Sequence, residues 1–212
     1  VQFEMGPRGA LPEPDKVDEE AIKTNVVQWL DLAAEHNVAV CLLISPHYFP
    51  AWARASDPAH EVCGHGFISF CIEAPSTFDV MQKWVDALMP LIKDHPALHS
   101  ICLSNEPLYK GRCDYEQALF RRWIERRHGD IDELNRICGT DYAGFDEITI
   151  PEKAADNYAL FFDGCEFNQQ RFLEFHQTLR MLVQAHDPDL PVHAKVMARA
   201  FEDPGHFEVG ID

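Results

Sequence analysis

The stretch ALHSICLSNEP, residues 97–107, decides how the chain is read. An apolar run, Ile101-Cys102-Leu103, stops at Ser104-Asn105, and an acid, Glu106, stands directly before Pro107. Proline has no N–H to give to a ladder, so the strand ends there. A surface loop accepts any polar residue at that point. A strand that ends inside a barrel does something more specific, because it holds its last carboxylate in a cavity shared with other strand ends.

The flanking pattern supports a barrel. Upstream, NVAVCLLIS (37–45) is a continuous apolar run rich in β-branched residues, as in a strand buried on both faces. VQFEM (1–5) reads as an earlier short strand. Between these two lies a helical segment, 18–36, with Ile22, Val26, Trp29 and Ala33 on its apolar face and Asp18 as N-cap. A second amphipathic helix over 77–94 carries Val80, Trp84, Leu88 and Leu91. Downstream, 114–128 reads as a helix. GDIDELNRICG reads as a short helix capped by Asp130 and closed by Gly139. A long helix follows over 152–186, with a break expected near Gly164, then a strand at 192–198 and a further strand at 206–212.

Strands alternating with helices imply an α/β fold with a parallel sheet. Long loops follow the strands and short ones precede them, the asymmetry of a (β/α)8 TIM barrel whose working face lies at the strand C-termini. No glycine-rich phosphate loop follows a strand, which argues against a dinucleotide-binding open sheet. A whole barrel takes about 250 residues; this chain has 212. The reading is therefore a partial barrel, about strands two to six, with residues 1–212 in one catalytic domain and a helical insert at about 108–151.

Charge narrows the partners. Eighteen basic and 35 acidic side chains give a net charge of −17. Such a surface repels nucleic-acid phosphates and anionic membranes, so neither is expected as a partner. No apolar run is long enough to span a bilayer. Seven cysteines without regular spacing do not form a disulfide framework. Cys41 and Cys102 lie in apolar runs and read as buried thiols. Cys63, His65 and Cys71, with His60 or His47 nearby, invite a metal reading, but they lack paired C-x2-C spacing. No metal or other cofactor is expected from the sequence.

The ordered set of motifs resembles the large glycosidase clan built on (β/α)8 barrels, and within it glycoside hydrolase family 42. PALHSICLSNEP resembles that clan's fourth strand, and AEHNVAVCLLISPHYFPAW its third strand with the loop after it. FRRWIERRHGDIDELNRICGTDYAGFDEITIP resembles the family's helical insert: Trp123-Ile124, His128-Gly129, Leu134-Asn135 and Gly139-Thr140 stand in the corresponding places. His128 and Cys138 depart from the usual aromatic residues of that pattern.

The resemblance implies a retaining glycosidase, with a β-galactoside as first substrate. It implies that Glu106 is the general acid/base and that Asn105 holds a sugar hydroxyl beside it. His47, Tyr48 and Trp52, in the loop after the third strand, would shape the sugar subsites. Some relatives carry a structural zinc bound by cysteines. The clan's nucleophile is a Glu on the seventh strand, beyond these residues; Glu202 and Glu208 come too early. Residues 1–212 alone are therefore expected to be inactive. The expected partners are a carbohydrate substrate and the remainder of the barrel, on the same longer chain or a second one. Further copies of the chain are a third, since an open half-barrel favours association. The competing reading is a non-hydrolytic, carbohydrate-binding or vestigial barrel fragment.

Overall fold

The computed structural model describes residues 1–64, 66–196 and 204–210. His65, Glu202 and the ends of two expected strands, 197–198 and 211–212, lie outside the described residues.

Among the described residues four strands form one sheet: β1 (Gln2–Glu4), β2 (Val40–Leu43), β3 (Leu98–Asn105) and β4 (Val192–Lys195). Their order in space is their order in sequence, and every pairing is parallel. Each crossover therefore adds a strand on the same side of the last. That is how a barrel is laid down, whereas a doubly wound sheet reverses direction at a switch point. Phe3 pairs with Leu42 and Leu42 with Ile101, so the first three strand ends rise together.

The main core lies between this sheet and its helices. The principal ones are α1 (Gln28–Glu35), α2 (Pro75–Ile92), α3 (Asp114–His128), α4 (Ile131–Cys138) and α5 (Tyr158–Gln184). On α2, Val80, Trp84 and Leu88 are buried as the spacing predicts, and the Trp84 indole N–H donates to the Ile44 carbonyl at 3.0 Å. Each such large apolar side chain contributes about 1.5–3 kcal/mol by burial. The hydrogen bond also fixes the chain just past β2. A second apolar cluster, Phe120, Ile124, Leu134, Ile148, Leu160 and Phe167, packs α3 and α4 against α5.

Several local signals read as expected. Asp18 accepts from the Ala21 N–H at 2.9 Å, and Asp130 from Asp132 N–H at 2.7 Å. Gly139 ends α4 in the left-handed region, at φ 66°.

Four expectations need correction. Trp29 is 56% exposed, and Leu30 takes its place beside Ile22 and Val26. The cause is a π-helical segment, Lys23–Val27, whose wider turn shifts the buried stripe to a spacing of four. The long helix begins at Tyr158 because Asn157 caps it, accepting from Leu160 N–H at 3.1 Å. It then runs unbroken through Gly164, where buried Asp163, Cys165 and Phe167 hold it in the packing. Finally, Pro204–Val209 is a 3-10 helix rather than a strand. Its Val209 carbonyl accepts from the Tyr109 N–H at 2.8 Å, a tertiary bond in place of a sheet ladder.

Candidate active site

Because the four strands are parallel, their C-terminal ends open on one face. Glu4, Ser45, Asn105 and Glu106 stand there. Among the described residues three non-glycine residues have positive φ, and two of them, Ser45 (42°) and Glu106 (44°), lie directly past strand ends. A left-handed residue with a Cβ costs about 1–2 kcal/mol and persists only where its surroundings pin it. Glu106 is pinned upstream by its own N–H, which donates to the Lys195 carbonyl of β4 at 2.6 Å. Asn105, in register with Lys195, is part-buried beside it.

Of the three residues expected to shape sugar subsites, two meet at a carboxylate. Tyr48 O–H donates to Glu4 Oε1 at 3.0 Å, and Ser45 O–H to Glu4 Oε2 at 2.7 Å. His47 Nε2 lies 3.8 Å from Glu4 Oε2, and its ring centroid 4.3 Å from that of Tyr48. Burial pushes the His47 pKa down, so its imidazole stays neutral. Its Nδ1 is buried and has no hydrogen-bond partner among the described residues.

Trp52 behaves differently. Its indole N–H donates to the Leu11 carbonyl at 2.9 Å and its ring packs on the main core, so it ties the loop after β2 to the loop after β1. Glu4, which the sequence offers equally as a mouth residue or as half of a loop salt pair with Arg8, stands at the mouth. Its signal was the one that marked Glu106, an acid at the end of a short strand.

A second constellation lies between the loop after β2 and the start of α3. Cys63, Cys71, Cys113 and Glu116 are all buried, and their donor atoms lie within 4.8 Å of one another. Cys63 S–H donates to Glu116 Oε2 at 3.0 Å, and the Cys113 N–H to the same oxygen at 3.1 Å. The other oxygen, Oε1, accepts from the Tyr109 hydroxyl.

Burial pushes the Glu116 carboxyl up to about 7. The thiols share charge unequally. Hydrogen bonds from Cys63 and Cys71 pull the Cys113 pKa down, while their bonds to Cys113 push Cys63 up to about 12 and raise Cys71 as well. A buried acid among three thiols, with no cation against it among the described residues, is an electrostatic debt that a divalent ion cancels. Three thiolates and one carboxylate match the tetrahedral donor set of zinc. A zinc ion held there would lock the loop carrying Cys63 and Cys71 to the first turn of α3. The spacing of the cysteines does not announce this site, because its donors come from separate segments. Of the residues first considered for a metal, Cys63 and Cys71 belong to it. His60 instead accepts from the Cys71 N–H at 3.1 Å and meets Ser76 Oγ at 2.8 Å.

Other polar groups are bound elsewhere. Glu208 pairs with Lys110 at 3.1 Å. Asp163 takes Arg127 at 2.8 Å and His128 at 2.9 Å, fastening α3 to α5. Cys41 is half-buried rather than buried, with its sulfur 3.5 Å from His193 Nε2.

Comparison with known proteins places this geometry. Beta-galactosidase BgaB of Geobacillus sp. (strain Y412MC61) is 27% identical over 203 residues, 85% of this chain and 30% of that protein. Beta-galactosidase BgaP of Planococcus sp. (strain L4) is 28% identical over 200 residues, 80% of this chain and 29% of that protein. The chain thus spans about 30% of the length of the curated relatives it matches. Among solved structures, beta-galactosidase from Bacillus circulans sp. alkalophilus superposes with a TM-score of 0.78 at 20% identity, over 92% of this chain and 32% of that one. The likeness shows that the four-stranded sheet is part of a TIM barrel. The model of glycoside hydrolase family 42, described as beta-galactosidase, matches residues 12–212, and the chain belongs to that family.

Proposed function

We propose that the complete protein hydrolyses a β-galactoside with retention, and that Glu106 is its general acid/base. The observation that carries this reading is the position of Glu106 in the family's barrel, directly past β3 on the face where all four strands end. The Glu106 carboxylic acid protonates the glycosidic oxygen as the bond to the sugar breaks. A second carboxylate, on a later strand and about 5–5.5 Å away, takes the sugar as a glycosyl-enzyme. Glu106, now ionised, accepts a proton from the attacking water. Asn105 offers an amide donor and acceptor to the hydroxyl next to the reacting carbon. His47 and Tyr48 shape the sugar site. Trp52 holds the wall behind them.

The remaining strands of the barrel are the partner of this part of the protein. β1 and β4 each have one neighbour among the described residues, and most of β4 is exposed. An acidic surface of this kind gives neither nucleic acid nor an anionic membrane a basic face.

The test is E106Q in the complete protein. General acid/base catalysis is worth about 10²–10⁴-fold, so hydrolysis of alkyl galactosides should fall by that factor, and azide should restore turnover of activated aryl galactosides. Full activity in E106Q removes Glu106 from the role. A wild-type protein that binds galactosides without cleaving them would instead establish the non-hydrolytic reading.

A further inference from the structure

We infer that Tyr109 is a positioning residue for Glu106, holding the acid-bearing loop from its far side. The inference rests on the reading of Glu106 as proton donor. Glu106 keeps a left-handed backbone, φ 44°, which a glutamate does not choose by itself. Such a conformation needs an anchor on each side. The upstream anchor is the bond from Glu106 N–H to Lys195. Downstream, only Pro107, with its fixed φ, and Leu108 separate Glu106 from Tyr109.

Tyr109 is 1% exposed and held at every polar atom. Its N–H donates to the Val209 carbonyl at 2.8 Å, and its own carbonyl accepts from Asn168 Nδ2 at 2.8 Å. Its hydroxyl donates to Glu116 Oε1 and accepts from the Ile72 N–H at 3.3 Å. Its ring stacks on Phe172 with centroids 5.6 Å apart.

The loop beyond it is fastened to the same cluster. The Lys110 carbonyl accepts from the Gly64 N–H at 2.8 Å. Gly111 passes so close to the Glu116 carboxyl that a Cβ at this position would overlap it. The loop cannot carry any other residue there without displacing the hydroxyl's partner. One phenol thus connects the short segment that ends at Glu106 to the thiol–carboxylate cluster, to α5 and to the loop after β2.

A reacting group displaced by about 1 Å loses on the order of 100-fold in rate. Loss of an anchor should therefore appear as weakened proton donation while substrate binding is kept. In the complete protein, Y109F keeps the ring stack and both backbone bonds and deletes only the hydroxyl. We expect kcat for alkyl and phenyl β-galactosides to fall about tenfold or more with KM little changed. For 2,4-dinitrophenyl galactoside, whose leaving group needs no proton, kcat/KM should stay within about twofold, while kcat falls with the Glu106-assisted attack of water and recovers with azide. N168S, which frees the Tyr109 carbonyl instead, should give the same split and provides the test if Y109F does not fold. An equal loss of kcat/KM on both substrate types, or no loss, overturns the inference.

E106Q measured beside them separates the two claims. If E106Q lacks the leaving-group split, the role of Glu106 fails. If E106Q shows it and Y109F and N168S do not, only the positioning role fails. A crystal structure of Y109F or N168S decides the matter independently of turnover. Glu106 should leave its left-handed conformation, and a Glu106 unmoved in both variants overturns the inference.

Discussion

The sulfurs of Cys71 and Cys113 lie 3.1 Å apart although 42 residues separate them in the chain. With Cys63 and Glu116 they form a closed set of donors, all buried. Purified complete protein should contain about one zinc ion per chain by elemental analysis, and C113S should lose most of it. Removal of the ion by a chelator should lower the melting temperature, since binding to the folded state alone stabilises it. Metal-free protein whose three thiols react rapidly with a thiol reagent under native conditions would sink this prediction.

His176 provides a pH-dependent element of stability. Its Nδ1–H donates to the Phe172 carbonyl at 2.9 Å, which leaves Nε2 to accept from the Ser104 hydroxyl at 2.7 Å. Burial holds its pKa below the usual 6.5. Below pH 6.5 the unfolded chain takes up a proton that the folded chain refuses, so stability falls as pH drops from there towards the lowered folded value. This one group accounts for up to about 1.4 kcal/mol per pH unit in that window. H176Q removes the titration and can still bond Ser104. Melting midpoints compared at pH 7.5 and 5.5 should drop less in the variant than in the wild type. An identical drop would place the titration in other residues.

Much of the barrel was legible because its cues are local. The run before Asn105-Glu106-Pro107 announces both a buried strand and its stop, and Asp18, Asp130 and Gly139 mark helix ends by their own side-chain and backbone chemistry. What stayed hidden depends on partners distant in the chain. The π-helical segment at Lys23–Val27 has no residue signature, so Trp29 was placed on the wrong face. HFEV has the look of a strand, yet its carbonyls go to Tyr109 and Gln169, and those bonds favour a 3-10 turn. The thiol–carboxylate cluster escaped for the same reason, since spacing rules see C-x2-C pairs and cannot see two loops brought together by folding. At the mouth, Glu106 and Asn105 were legible. For Glu4 the sequence leaves mouth and loop salt pair equal, and the bonds from Ser45 and Tyr48 decide for the mouth.

The position of His47 at the strand ends leads to a third prediction. The His47 ring lies against Tyr48, 4.3 Å between centroids, and beside Glu4, so it is read as part of the wall that a sugar would meet. H47A should raise the KM for galactosides about five- to tenfold with a smaller effect on kcat. Y48F, which removes one donor from Glu4, should act in the same direction. A KM unchanged in both would mean that this wall faces away from the sugar.

The open sheet leads to the last prediction. β1 and β4 are edges among the described residues, and α5 presents Phe162, Leu173 and Met181 at 50%, 58% and 63% exposure. Unpaired edges recruit other strands, and apolar side chains grouped on one helix recruit other apolar surfaces. In the complete barrel, later strands and helices would cover both. Expressed alone, residues 1–212 should therefore bind an apolar dye such as ANS and self-associate at micromolar concentration, as read by fluorescence and sedimentation velocity. The complete protein should bind far less dye per chain. Charge opposes the association, because a net charge of −17 repels like copies. Raising the salt concentration screens that repulsion and should strengthen self-association. A fragment that stays monomeric and dye-free at high salt would mean that its edges are already covered, and that the barrel closes differently from its relatives.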